Sequence, residues 1–158
     1  MRNRVIDAFF GPLLRLGEHS LPVEVTLVTP WITPWVGRTS SLAGFARFVK
    51  RYRTPVALMT RPPKLASHKA ALAELERLPS VEIVTIPDLH AKFFIADVAP
   101  VPFALLGSAN STARSMENVE VGVSIQGAGE AEALVRDLQG LGIELRGLGS
   151  RVKRRTVA

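Results

Sequence analysis

The sequence predicts an α/β domain, a mixed and mostly parallel β-sheet flanked by helices. Three observations point there. Short apolar runs rich in Val, Ile and Thr at residues 23–29, 54–60 and 81–86 read as buried strands. Amphipathic stretches of helical period separate them, and strand–helix–strand alternation implies parallel strands joined by right-handed crossovers. At 158 residues with no visible repeat or linker, the chain is about one domain in length.

Taken in order, residues 1–20 read as an N-terminal helical segment bent or broken at Pro12. Residues 23–29 (VEVTLVT) form a first strand that Pro30 stops. Residues 30–37 (PWITPWVG) carry both tryptophans and read as a loop. Ser40 or Ser41 caps a helix running to about Arg53, with Leu42, Phe45, Val49 and Tyr52 on one face. A second strand spans 54–60 and ends at Pro62-Pro63. A helix over 65–78 turns Leu72, Leu75 and Leu78 inward, and a third strand covers 81–86. Beyond Pro87 the rhythm changes. Residues 89–96 and 103–106 read as two strands of an antiparallel hairpin added to the parallel sheet. Another strand is expected at 119–125, a helix at 130–141 stopped by Gly142, and a short strand at 143–145. The single domain thus spans 1–158, with a basic flexible tail at 148–158.

Composition narrows the functions. Hydrophobic residues make up 47% and charged residues 22% of the chain, which excludes disordered and low-complexity classes. The absence of cysteine excludes a disulfide scaffold, thiolate metal sites and a cysteine nucleophile. A net charge of +6 makes polyanions the expected partners, nucleic acid first and an anionic membrane second. No acid occurs between Glu24 and Glu74, and Arg151, Lys153, Arg154 and Arg155 crowd the end of the chain. These stretches are either solvated helix faces and a frayed tail, or a phosphate-facing surface fed by a basic arm. No apolar run approaches a membrane span, so the expectation is a cytoplasmic protein without integral membrane association.

The chemistry concentrates in residues 89–119, LHAKFFIADVAPVPFALLGSANSTARSMENV. His90, Lys92 and Asp97 follow the pattern H-x-K-x-x-x-x-D, and Gly107, Ser108 and Asn110 follow as G-S-x-N. On a strand, His90 and Lys92 share a face. A neighbouring ammonium favours neutral imidazole, with one ring nitrogen free as a nucleophile, and itself holds a phosphate oxygen. Gly107-Ser108-Ala109-Asn110 is expected to end a strand and start a short helix, which would present backbone N–H groups to an anion. Attack on a phosphodiester needs such a set: a nucleophile, and fixed donors for the charged oxygens.

These residues resemble the signature of the phospholipase D superfamily, H-x-K-x-x-x-x-D followed by G-S-x-N. The likeness continues at Glu117 in MENVEVGV, and residues 23–32 (VEVTLVTPWI) and 56–61 (VALMTR) are similar to the first strands of that fold. One departure is the spacing from Asp97 to Gly107, longer than usual in the family and tolerable at a hairpin tip. The resemblance implies a phospholipase D/nuclease-like fold and a phosphodiesterase in which His90 forms a covalent phosphohistidine. Lys92 and Asn110 would bind phosphate oxygens, Ser108 would hydrogen-bond within the site, and Glu117 would orient His90. Asp97 is a signature residue that tends to hold the hairpin. The family's site needs two motifs and this chain has one; His19 and His68 lack the pattern. A homodimer joining two His90 residues at its axis follows, with no metal or cofactor.

Trp31 and Trp35 follow the first strand, at the end where parallel sheets bind ligands. They either stack on bases or pack in a core or interface. Arg61 ends the second strand at the same edge and is a candidate phosphate contact; Trp31 and Arg61 are the expected substrate-binding residues. Three functions follow in order of expectation: a metal-independent nuclease on DNA or RNA, a phospholipase or phosphatidyltransferase, and a nucleic-acid binding module without turnover.

Overall fold

A computed structural model describes residues 5–16, 21–113 and 120–152. One seven-stranded sheet runs through it in the order β6-β5-β4-β1-β2-β3-β7. Its strands are β1 (Glu24–Val28), β2 (Val56–Thr60), β3 (Val81–Thr85), β4 (Phe93–Asp97), β5 (Phe103–Gly107), β6 (Gly122–Gln126) and β7 (Ser150–Arg151). The helices are α1 (Val5–Leu13), α2 (Leu42–Tyr52), α3 (Ala66–Glu76) and α4 (Glu130–Leu148).

β1, β2 and β3 are parallel, with α2 and α3 as their crossovers. β4 lies antiparallel beside β1, and β5 and β6 continue the antiparallel series outward. The expected mixed α/β sheet with an added hairpin is therefore observed, but it is not mostly parallel: two of its six strand pairings are parallel and four are antiparallel, because β4, β5, β6 and β7 all join antiparallel to their neighbours. Alternate strand residues point to two cores. Val25, Leu27, Leu58, Phe94 and Leu105 pack with α1, α2 and α3, and Val28, Met59, Phe93, Ile95 and Ala104 pack with α4. Burial on both faces explains why these strands read as continuous apolar runs.

α2 begins at Ser41, whose hydroxyl accepts the Gly44 N–H at 3.0 Å. It ends at Arg53 in the left-handed conformation, φ 52°. α1 runs through Pro12 and ends at Leu13, so the proline falls in the last turn rather than breaking the helix. Trp35 is a core residue, 2% exposed, with its ring centroid 4.9 Å from that of Phe10.

Four further expectations fail. Pairing in β4 starts at Phe93, which lies opposite Val28, the last residue of β1, and Leu106 of β5; His90 and Lys92 precede the strand. β6 is Gly122–Gln126 rather than 119–125. α4 does not stop at Gly142 but continues to Leu148, which removes the strand expected at 143–145. Gly142 sits where α4 crosses the sheet, and an added Cβ would lie 3.2 Å from Thr26 Cγ2, so this glycine permits close packing and not a stop. The tail expected from 148 begins instead as ordered structure: Leu148 belongs to α4, Ser150 and Arg151 pair with Thr85 and Val84, and Arg151 Nε lies 2.6 Å from Glu82 Oε1. Residues 153–158 lie outside the described residues. Among the described residues, no helix is long and apolar enough to cross a membrane.

Asp7 of α1 secures the loop that leads into α2. Its carboxylate accepts the Arg38 N–H at 2.8 Å, the Thr39 N–H at 3.3 Å and the Ser40 hydroxyl at 2.6 Å. Burial alone would raise its pKa, but these hydrogen bonds outweigh burial and hold it below the usual carboxylate value. A depressed carboxylate contributes stability that is complete above its unfolded-state pKa and is lost as pH falls through the folded value. Asp7→Ala should therefore cost about 1–3 kcal/mol at neutral pH. Urea denaturation should show that difference narrowing under acid conditions; a pH-independent difference would contradict the assignment.

Candidate active site

The candidate site lies at the C-terminal ends of β1 and β2, where β4 begins and β5 ends. The antiparallel register brings these ends together: Val28 pairs with Phe93, Phe93 with Leu106, and Gly107 with Gly122. Gly107 N–H donates to the Lys92 carbonyl at 3.2 Å. That contact sets H-x-K directly beside G-S-x-N, although the two are far apart in sequence. His90 is exposed and Lys92 half-buried. The Lys92 ammonium donates to the His90 carbonyl at 2.9 Å, so its charge rests against the backbone of the candidate nucleophile.

Gly107 is required by close approach. A Cβ there would collide with the Val121 carbonyl and lie 2.8 Å from Gly122 Cα. Ser108 then closes the junction with β6. Its N–H donates to the Val121 carbonyl at 2.9 Å, its Oγ accepts the Val121 N–H at 3.0 Å, and its hydroxyl donates to Glu120 Oε2 at 2.5 Å. Asn110 is half-buried one turn of chain further on.

The short helix expected after Gly107 is absent among the described residues. The loop after β1 captures this backbone instead. Ser111 N–H donates to Thr29 Oγ1 at 3.1 Å, Thr33 N–H donates to the Ser111 carbonyl at 3.0 Å, and Ala113 N–H donates to Thr33 Oγ1 at 3.0 Å. Ser111 thereby pairs with Ile32 as a parallel bridge. The helix N-terminus expected to present backbone N–H groups to an anion is therefore not observed among the described residues.

Arg61 and Trp31 meet at this end. The Arg61 guanidinium lies over the Trp31 ring at 5.6 Å, and its Nε donates to the Leu89 carbonyl at 2.8 Å. Leu89 immediately precedes His90, so Arg61 holds the candidate nucleophile's backbone. Asp97 falls elsewhere. It ends β4 opposite Glu24, about 16 Å along the strand from Lys92 at the usual rise per residue. Its carbonyl accepts the Val23 N–H at 2.7 Å, a backbone tie to the residue before β1 at the end of the sheet remote from His90 and Lys92. The longer connection after Asp97 is at this same remote end, with Ala99 and Pro100 exposed. Glu117 lies outside the described residues. Sequence reasoning missed Glu120 and His68. Glu120 sits in the V-E-V alternation that leads into β6, and His68 lies in the first turn of a helix that starts from the site end of β2. Among the described residues, no group of three or more His, Asp or Glu side chains is placed to hold a metal ion.

No protein-family model matches the sequence, and no curated protein matches it. Solved structures do. The phospholipase D family member Nuc from Salmonella typhimurium superposes with a TM-score of 0.70 at 14% identity, over 92% of this chain and 90% of that one. NucT from Helicobacter pylori gives 0.66 at 15% identity, over 94% and 93%. Polyphosphate kinase from Porphyromonas gingivalis gives 0.56 at 11% identity, over 96% of this chain but 21% of that one. The fold is thus the phospholipase D/nuclease-like fold that the motif resemblance implied. A kinase sharing it shows that the fold alone does not set the reaction.

Gly107→Ala should lower stability by about 1–3 kcal/mol, because the backbone of β6 rather than a movable side chain opposes the new methyl group. Thermal unfolding checks this. A variant as stable as the parent would show that β5 and β6 separate freely at this point.

Proposed function

We propose that the protein is a phosphodiesterase that hydrolyses nucleic-acid phosphodiester bonds, with His90 as its nucleophile. The observation that carries this reading is the Gly107–Lys92 contact, which joins the two halves of the motif at the ligand-binding end of the sheet. The net charge of +6 and the likeness in fold to Nuc and NucT favour nucleic acid as the substrate class.

His90 attacks phosphorus, and an N–P bond forms as the P–O bond to the leaving oxygen breaks. Lys92 and Asn110 stabilise the charge on the non-bridging oxygens. Glu117 orients the His90 ring, the logic of a histidine–carboxylate pair. Ser108, bonded to Glu120, keeps the G-S-x-N turn in shape. The leaving oxygen needs a proton, and a second copy of the chain supplies it from its own His90 across a two-fold axis. That second histidine then takes a proton from water, whose oxygen attacks phosphorus and breaks the N–P bond. No step calls for a metal ion.

Single- and double-stranded DNA and RNA incubated in EDTA should be cut by the parent protein, and His90→Ala and His90→Asn should each lose activity by about a thousandfold or more. Cutting that survives both substitutions, or that EDTA abolishes, would remove His90 from the proposed role.

A further inference from the structure

A cleft of about 510 Å³ opens beside the phosphoryl site and shares only Asn110 with it. That volume suits a small planar ligand. Trp31, Pro34 and Leu65 give it apolar walls, while Asn110 and Glu120 line the side nearest Ser108. Thr33, Ser67, Thr112 and Ala113 complete the lining together with His68, which is fully buried.

His68 is set as a neutral ring. Its Nε2 lies 3.2 Å from Thr60 Oγ1, and the Thr60 hydroxyl donates its one hydrogen to the Pro30 carbonyl. The Thr60–His68 contact must then take its proton from Nε2–H, which leaves Nδ1 as the bare acceptor. Nδ1 is buried without a hydrogen-bond partner, and burial pushes the ring's pKa down. His68 meets Trp31 in a T-shaped contact, centroids 5.6 Å apart. With Arg61 over the same indole, Trp31 is braced as a rigid aromatic wall.

The chemistry of the cleft selects its occupant. Glu120 repels a phosphate, which belongs instead with Lys92. A hydrocarbon chain would press against the Glu120 carboxylate and leave it desolvated. A planar heterocycle with N–H groups satisfies both kinds of wall, since its face stacks on indole and its edge donates to Glu120. We propose that the cleft receives one unpaired nucleobase adjoining the scissile phosphate, stacked on Trp31, and so makes the protein selective for single-stranded nucleic acid. Bases within a duplex are paired and stacked, and cannot enter without being extruded. The inference rests on the nucleic-acid reading of the site.

The chain has two tryptophans, and Trp35 is sealed in the core, so a fluorescence change on binding reports Trp31. The His90→Ala protein, which does not turn over, is titrated with a short oligothymidylate and with a duplex of equal length. The single strand should quench the emission and the duplex should not, and adding Trp31→Phe should abolish the quench. Adding Trp31→Ala should weaken single-strand affinity about 5- to 150-fold while duplex affinity changes little. Equal loss on both ligands, or single-strand affinity unchanged in Trp31→Ala, overturns the cleft assignment and leaves the nuclease reading standing. Failure of the parent protein to bind or cut either form overturns both.

Discussion

The register of the β4–β5 hairpin sets Phe93 opposite Leu106 and Ile95 opposite Ala104, and the two halves of the motif, H-x-K and G-S-x-N, take their relative position from that pairing. β4 is buried on both faces, so a slip of one residue would exchange Phe93 and Ile95 with Phe94 and Ala96 between two differently shaped cores. The cores therefore hold the register, and the register holds Lys92 against Gly107. Apolar packing far from any substrate fixes the geometry of a charged, exposed site.

Around that junction the loops are cross-tied rather than left to find their own shape. Thr29 and Thr33 use hydroxyl groups to hold the segment after Asn110, and Arg61 uses one N–H to hold the carbonyl before His90. Both sets of ties start from the ends of parallel strands, the rigid part of the domain. The candidate site residues thus sit on irregular backbone whose hydrogen bonds are supplied largely by side chains from neighbouring loops and strand ends. Arg61 shows the economy of the arrangement, since one guanidinium braces the Trp31 ring and the His90 backbone together.

Much of the fold was legible because local signals agreed with tertiary demands. The runs at β1, β2 and β3 are bounded by prolines and turns, and α2 carries a serine cap followed by a helical apolar stripe. Signals misled where one residue type serves two purposes. Gly142 reads as a helix stop, yet it is there to let α4 approach Thr26. Asp97 belongs to the motif by spacing, yet the length of β4 carries it to the opposite end of the sheet. Ser108 and Asn110 stood out in the sequence as candidate residues but their surroundings did not, since the ties to Glu120 and to the loop after β1 join residues distant in sequence. The same holds for His68, which comes beside Trp31 only when α3 packs there.

The central claim is that His90 becomes covalently attached to phosphorus. Mass spectrometry of protein quenched during turnover of an oligonucleotide tests it most directly. The account predicts a nucleotidyl adduct on the peptide containing His90, one that forms and decays within the catalytic cycle. Turnover with no adduct at any time, or an adduct carried by another residue, would contradict it.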